Sequence, residues 1–146
     1  MFNSFDLRMF AAAKSEAEKS TFNRFKVGAV ITYKNRIIGQ GHNSDKTDPM
    51  QQRYNSLYRD FNNADGAYIK HSIHAEVAAI KSISFIVGKE VDFSKCNIYV
   101  YRICNGRPNG YGCSKPCPAC AHALKDIGIH NVYFTDNYGL SYLRLD

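Results

Sequence analysis

Long apolar runs are absent. No stretch of the 146 residues approaches the roughly eighteen consecutive apolar positions that a membrane-crossing helix needs. The opening segment "MFNSFDLRMFAAAKSEAEKS" carries acids and lacks the charged-then-apolar order of a secretion signal, so a cytoplasmic setting is expected. Acidic residues are the minority charge, 13 Asp and Glu against 19 Lys and Arg, a net +6. That excess favours anionic partners, meaning phosphorylated small molecules or nucleic acid. Runs of Lys or Arg are missing, which argues against a disordered nucleic-acid tail. Repeats, low-complexity tracts and linkers are also missing. With 45% hydrophobic residues the chain reads as one domain over 1–146, able to bury its own core.

Cysteine, by contrast, is present in an odd number. Three of the five crowd into 113–120 without a secretion signal, which favours a metal or reactive-thiol role over a disulfide framework. Helical spacing of Phe5, Met9, Ala12, Ala13 and Ala17 predicts a first helix from Ser4 to Ser20. Two β-rich runs, 26–33 and 36–41, flank Lys34-Asn35 as a hairpin. A long polar connection, 43–70, holds a short helix around 50–61, with Tyr54, Tyr58 and Phe61 as its apolar face or as a stacking platform. Then come a helix over 74–86, a strand over 96–103, a Gly-rich loop over 104–115, a helix from Pro118 to Ile127 and a strand "NVYFT". The turn Asp136-Asn137-Tyr138-Gly139 leads into a closing strand, and the whole predicts one mixed sheet flanked by helices.

The chemistry concentrates in two stretches, "HSIHAEVAAI" (71–80) and "KPCPAC" (115–120). Cys117 and Cys120 flank Pro118, which suits the first position of a helix, so the two thiols fall on one turn at a helix start. Backbone N–H groups and the positive end of the helix dipole favour a thiolate there. His74 and Glu76 lie on different faces of a regular helix interior, yet at its mouth both can reach one point ahead of the helix. Three N/S ligands, His74, Cys117 and Cys120, leave a tetrahedral zinc one open position, with Glu76 beside it as a base.

His74-Ala75-Glu76 followed by Pro116-Cys117-Pro118-Ala119-Cys120 matches the H-x-E and P-C-x-x-C signature of zinc deaminases. With "FKVGAVIT" and "IIGQGHN" ahead of them in order, the sequence resembles the cytidine/deoxycytidylate deaminase superfamily over most of its length. That superfamily also includes tRNA adenosine deaminases and polynucleotide cytosine deaminases. The resemblance implies a three-layer α/β/α fold around a five-stranded mixed sheet. Only about a dozen residues follow "NVYFT", too few for a parallel crossover, so the last two strands are expected antiparallel, as in nucleoside deaminases. Those enzymes typically have Cys where His74 stands. The resemblance further implies Zn2+ as cofactor, Glu76 as the proton carrier in hydrolysis of cytosine to uracil, Asn43 contacting sugar or base, and the Ala75 N–H contacting the base edge. A free nucleoside or nucleotide is the preferred substrate, deoxycytidylate first, over a single strand of DNA or RNA or a tRNA adenosine. A homo-oligomer fits the same resemblance.

Competing readings exist for several residues. His42 either lines the pocket or ends a strand. The loop carrying Arg107, Tyr111 and Lys115 is either a surface loop or a substrate gate, with cations for phosphate and a ring for stacking. His71 reads as a solvated or hydrogen-bonded histidine rather than a second ligand. The CxxC alone also fits a dithiol redox motif, and Cys104, Cys113, Cys117 and Cys120 together fit a structural zinc in a binding module.

Overall fold

The structure is a computed structural model that describes residues 2–22, 24–59 and 71–146. Helix α1 (Ser4–Glu18) opens with a capping box: the Asn3 side chain accepts from the Asp6 N–H at 2.8 Å, and the Asp6 carboxylate accepts from the Asn3 N–H at 3.0 Å. Strands β1 (Lys26–Tyr33) and β2 (Arg36–His42) follow as the expected hairpin. Its two turn residues, Lys34 and Asn35, have φ of 49° and 62°, the left-handed pair that matches the twist of a two-residue hairpin. Helix α2 is Pro49–Tyr58; the expected extension to 61, with Phe61, lies outside the described residues.

The single helix expected over 74–86 is two, α3 (Ala75–Ser82) and α4 (Phe85–Glu90). Two serines account for the break. Ser82 Oγ donates to the Ala79 carbonyl at 2.7 Å and accepts from the Gln40 N–H, and Ser84 Oγ starts the next helix by accepting from the Val87 N–H. After a short 3₁₀ turn come β3 (Asn97–Ile103), the two-residue β4 (Tyr111–Gly112), α5 (Pro118–Ile127), β5 (Asn131–Thr135) and β6 (Leu140–Arg144). The sheet order is β2-β1-β3-β5-β6, with β4 added on β3. Hence there are six strands among the described residues where five are expected; the extra one arises inside the Gly-rich loop. β3 and β5 are parallel, joined through α5, and β5 and β6 are antiparallel, as expected. The Asp136 carboxylate closes that last turn by accepting from Tyr138 N, Gly139 N and Ser141 Oγ.

Strand alternation distributes the core between two layers. Ala29 and Ile31, Ile98 and Val100, and Val132 and Phe134 face α3 and α5. Val30, Tyr99, Tyr101 and Tyr133 face α1, where they meet Phe10 and Ala13. Among the described residues, no helix is long and apolar enough to cross a membrane.

Candidate active site

His74 is the N-cap of α3, with extended backbone angles and no capping hydrogen bond from its own side chain, so the imidazole is available for another role. Its N–H donates to Gln51 Oε1 at 2.9 Å. Gln51 Nε2 donates to Asn55 Oδ1 at 2.9 Å, and Asn55 Nδ2 lies 3.1 Å from His71 Nδ1. This buried chain from α2 fixes the chain just before α3 and absorbs His71. Helix α3 itself lies close against β2 because Gly39 and Gly41 carry no Cβ. One added at Gly39 would approach the Ala79 carbonyl oxygen to 2.7 Å, and one at Gly41 the Ala79 nitrogen to 2.6 Å.

Cys117 is the N-cap of α5, Pro118 takes its first helical position, and Cys120 follows on the same turn. The approach to Cys117 is anchored to the sheet. Ser114 Oγ donates to the Val100 carbonyl and accepts from the Thr135 N–H, both at 2.9 Å, while Thr135 Oγ1 donates to the Gly112 carbonyl at 2.6 Å. The two helix starts thereby meet. His74 Nδ1 lies 3.3 Å from Cys120 Sγ and 3.6 Å from Cys117 Sγ, and the three ligand atoms all lie within 4.8 Å of one another. Tetrahedral zinc with Zn–S near 2.3 Å and Zn–N near 2.0–2.1 Å holds N and S ligands about 3.5 Å apart, so this donor set fits the ion. Among the described residues it is the one group of three or more His, Cys or acidic side chains with such geometry. Cys104 and Cys113 stand outside it, contrary to a four-cysteine structural site.

Glu76, in the first turn of α3, is 5% exposed. Burial pushes its carboxyl up to about 7, against the pull of His74. The hydrogen bond from the Cys120 thiol holds the Cys117 thiol down at about 4, and the same bond with burial pushes Cys120 up. Burial lowers the His74 imidazole, but the bond to Cys117 and the Glu76 and Cys117 charges outweigh it and raise it. Proton exchange near neutrality is therefore available at Glu76 before any ligand binds.

His74, Glu76 and Cys117 border a cavity of about 230 Å³ whose walls include Phe22, Phe25, Val27, Asn43, Arg102 and Lys115. Ala75 and Lys115 line it as expected, and so does Asn43. The Asn43 amide also accepts from the Val27 N–H and donates to the Phe25 carbonyl, and so shapes the wall between α1 and β1. Three other expected residues are elsewhere. His42 pairs across the sheet with Gly28, on the α1 face, and its Nδ1 meets Glu16 Oε1 at 2.9 Å. Tyr111 pairs with Ile103, whose face also looks toward α1, and packs edge-on against Tyr101. Arg107 is exposed in the turn that joins β3 to β4. Phe22, Phe25 and Arg102 are the wall residues that motif reading misses; the alternation of β3, which puts Arg102 on the same face as Ile98 and Val100, is the signal that finds Arg102.

No curated protein sequence matches the chain. Solved structures do. Cytidine deaminase from Burkholderia pseudomallei superimposes with a TM-score of 0.60 at 18% identity, over 95% of this chain and 91% of that one. dCMP deaminase from the cyanophage S-TIM5, in complex with dCMP and dUMP, gives 0.55 at 20% identity, over 92% and 82%. Both likenesses are of fold. The family model described as the cytidine and deoxycytidylate deaminase zinc-binding region matches residues 3–136, the span in which His74, Cys117 and Cys120 converge, and the chain belongs to that deaminase family.

Proposed function

We propose that the protein catalyses zinc-dependent hydrolysis of a cytosine base to uracil and ammonia in a free nucleoside or nucleotide, with deoxycytidylate the first choice. The observation that carries this reading is the Glu76 carboxyl, buried beside the convergent His74, Cys117 and Cys120 at the wall of a small cavity. Zinc held by His74 Nδ1 and the two Sγ atoms would supply Lewis acidity and make water nucleophilic near neutral pH. Glu76 is the proton carrier: it accepts a proton from water and delivers it to the pyrimidine ring nitrogen, then takes the second proton from the hydroxyl added to the base and passes it to the departing amine as the C–N bond breaks and the carbonyl forms. The Ala75 N–H, at the start of α3 where the helix supplies no acceptor of its own, offers a donor to the base edge.

Cavity size supports one small molecule: about 230 Å³ lies below the roughly 300–1,000 Å³ of drug-sized sites. The reading includes a cytoplasmic setting and a homo-oligomer, which a mass measurement in solution tests. A single-stranded DNA or RNA substrate has one observation in its favour, the Phe22 and Phe25 rings 4.9 Å apart at the cavity wall, on which a neighbouring base could stack.

The deciding experiment incubates the zinc-loaded protein with cytidine, deoxycytidine, their monophosphates and a cytosine-containing single strand, and measures uracil. Conversion of monomers is expected; conversion confined to the strand overturns the small-molecule reading. Glu76→Ala should keep one zinc per chain and lose turnover by about 10²-fold or more, and full activity in that variant would remove the mechanism. A metal-stabilised binding module, the alternative of another class, requires that Cys104→Ser with Cys113→Ser lose the zinc.

A further inference from the structure

Resting on the deaminase reading, we propose that Arg102 is the specificity residue through which this site reads a phosphate on its substrate, with Phe25 and Gly112 as positioning residues for its guanidinium. Arg102 is the last residue of β3 on the face that α3 and α5 cover, following Ile98 and Val100. It pairs across the sheet with Val27, and both side chains line the cavity that holds Glu76. On its other side Arg102 pairs with Gly112, and the stem of the arginine crosses that glycine. A Cβ at Gly112 would lie 2.9 Å from both Cγ and Cδ. The guanidinium ends above the Phe25 ring, 4.7 Å from its centroid. The side chain is thus guided along its length and stacked at its head.

It is guided toward nothing anionic. Among the described residues no carboxylate forms an ion pair with Arg102 or with Lys115, the second cation on the same cavity. A planar five-donor group held beside a reaction centre, with its donors unspent, suits bidentate recognition of a phosphate. Arg107, five residues further along the chain, has no such role because the turn carries it away from the cavity.

The test compares kcat/KM for deoxycytidine 5′-monophosphate with that for deoxycytidine in the zinc-loaded enzyme, wild type, Arg102→Gln and Arg102→Lys. Arg102→Gln should lower the monophosphate-to-nucleoside ratio by about 10- to 100-fold, as loss of charge-assisted hydrogen bonds does, and Arg102→Lys should restore part of it. Gly112→Ala, which keeps the charge but crowds its stem, should lower the ratio in the same direction, and serves if Arg102→Gln fails to fold. A ratio that stays within about twofold in both variants overturns the proposal. If the wild type yields no uracil from either compound, the reading of deoxycytidylate as substrate fails separately. Calorimetric binding of the same two compounds then decides the Arg102 role: loss of affinity confined to the phosphorylated one supports it, and equal or no binding overturns it.

Discussion

Gly28 lies where β1 passes under α1, and a Cβ there would overlap the Ala13 carbonyl oxygen and the Ala17 nitrogen. Both are helix backbone and cannot turn aside, so Gly28→Ala is expected to cost about 3 kcal/mol, read as a lowered midpoint in urea. Next to it, burial alone would raise the Glu16 carboxyl, but His42 and Lys19 outweigh burial and hold it below its ordinary value of 4.5. The folded state therefore binds the Glu16 proton less readily than the unfolded chain. The resulting stability is present above pH 4.5 and is lost as pH falls through the lower folded-state value. Glu16→Gln should be less stable than wild type at neutral pH, and the two denaturation curves should converge in strong acid. The convergence of His74, Cys117 and Cys120 was legible because few other arrangements use those residue types at that spacing. The places of His42, Tyr111 and Arg102 were not: alternation groups Arg102 with Ile98 and Val100, but β1 and β3, against which β2 and β4 pair, are largely apolar and buried on both faces, so no polar pattern tells which parity faces the site.

At the scale of elements, α2 serves α3. Asp48 caps α2 by accepting from the Gln51 N–H at 2.9 Å and also pairs with Lys81 of α3. Gln51 in turn supplies the acceptor for the His74 N–H. Gln51→Leu is expected to weaken zinc binding by roughly tenfold, as loss of a partner that orients a ligand does, measured by competition with a chromophoric chelator. Unchanged affinity would mean that packing alone holds the start of α3. Asp48→Ala should cost about 1–2 kcal/mol from the lost cap and weaken zinc in the same direction. Periodicity found these helices but not the joint between α3 and α4, since Ser82 and Ser84 act through hydrogen bonds to Gln40, Ala79 and Val87 that an apolar pattern does not encode. The strand β4 escaped for a related reason: two residues long, it exists by pairing with the end of β3.

Over the whole molecule, zinc is expected to act as a stabilising ligand. At free zinc about 100 times the dissociation constant, its removal by a chelator should lower the melting temperature by roughly 5–10 °C for a chain of this size. No change would remove the metal from the native protein. The two helix starts that converge at the site are separated by 43 positions along the chain, from His74 to Cys117. Tying such a loop costs an open chain about 3 kcal/mol, a cost the sheet has already met before the ion arrives. The unfolded chain, which must close this loop to bring His74 to the dithiol, should consequently hold zinc roughly 200-fold more weakly than the folded protein, by this closure entropy alone. Melting of the sheet then releases the metal, and the colour of a zinc dye during denaturation reports the folding equilibrium of the entire chain.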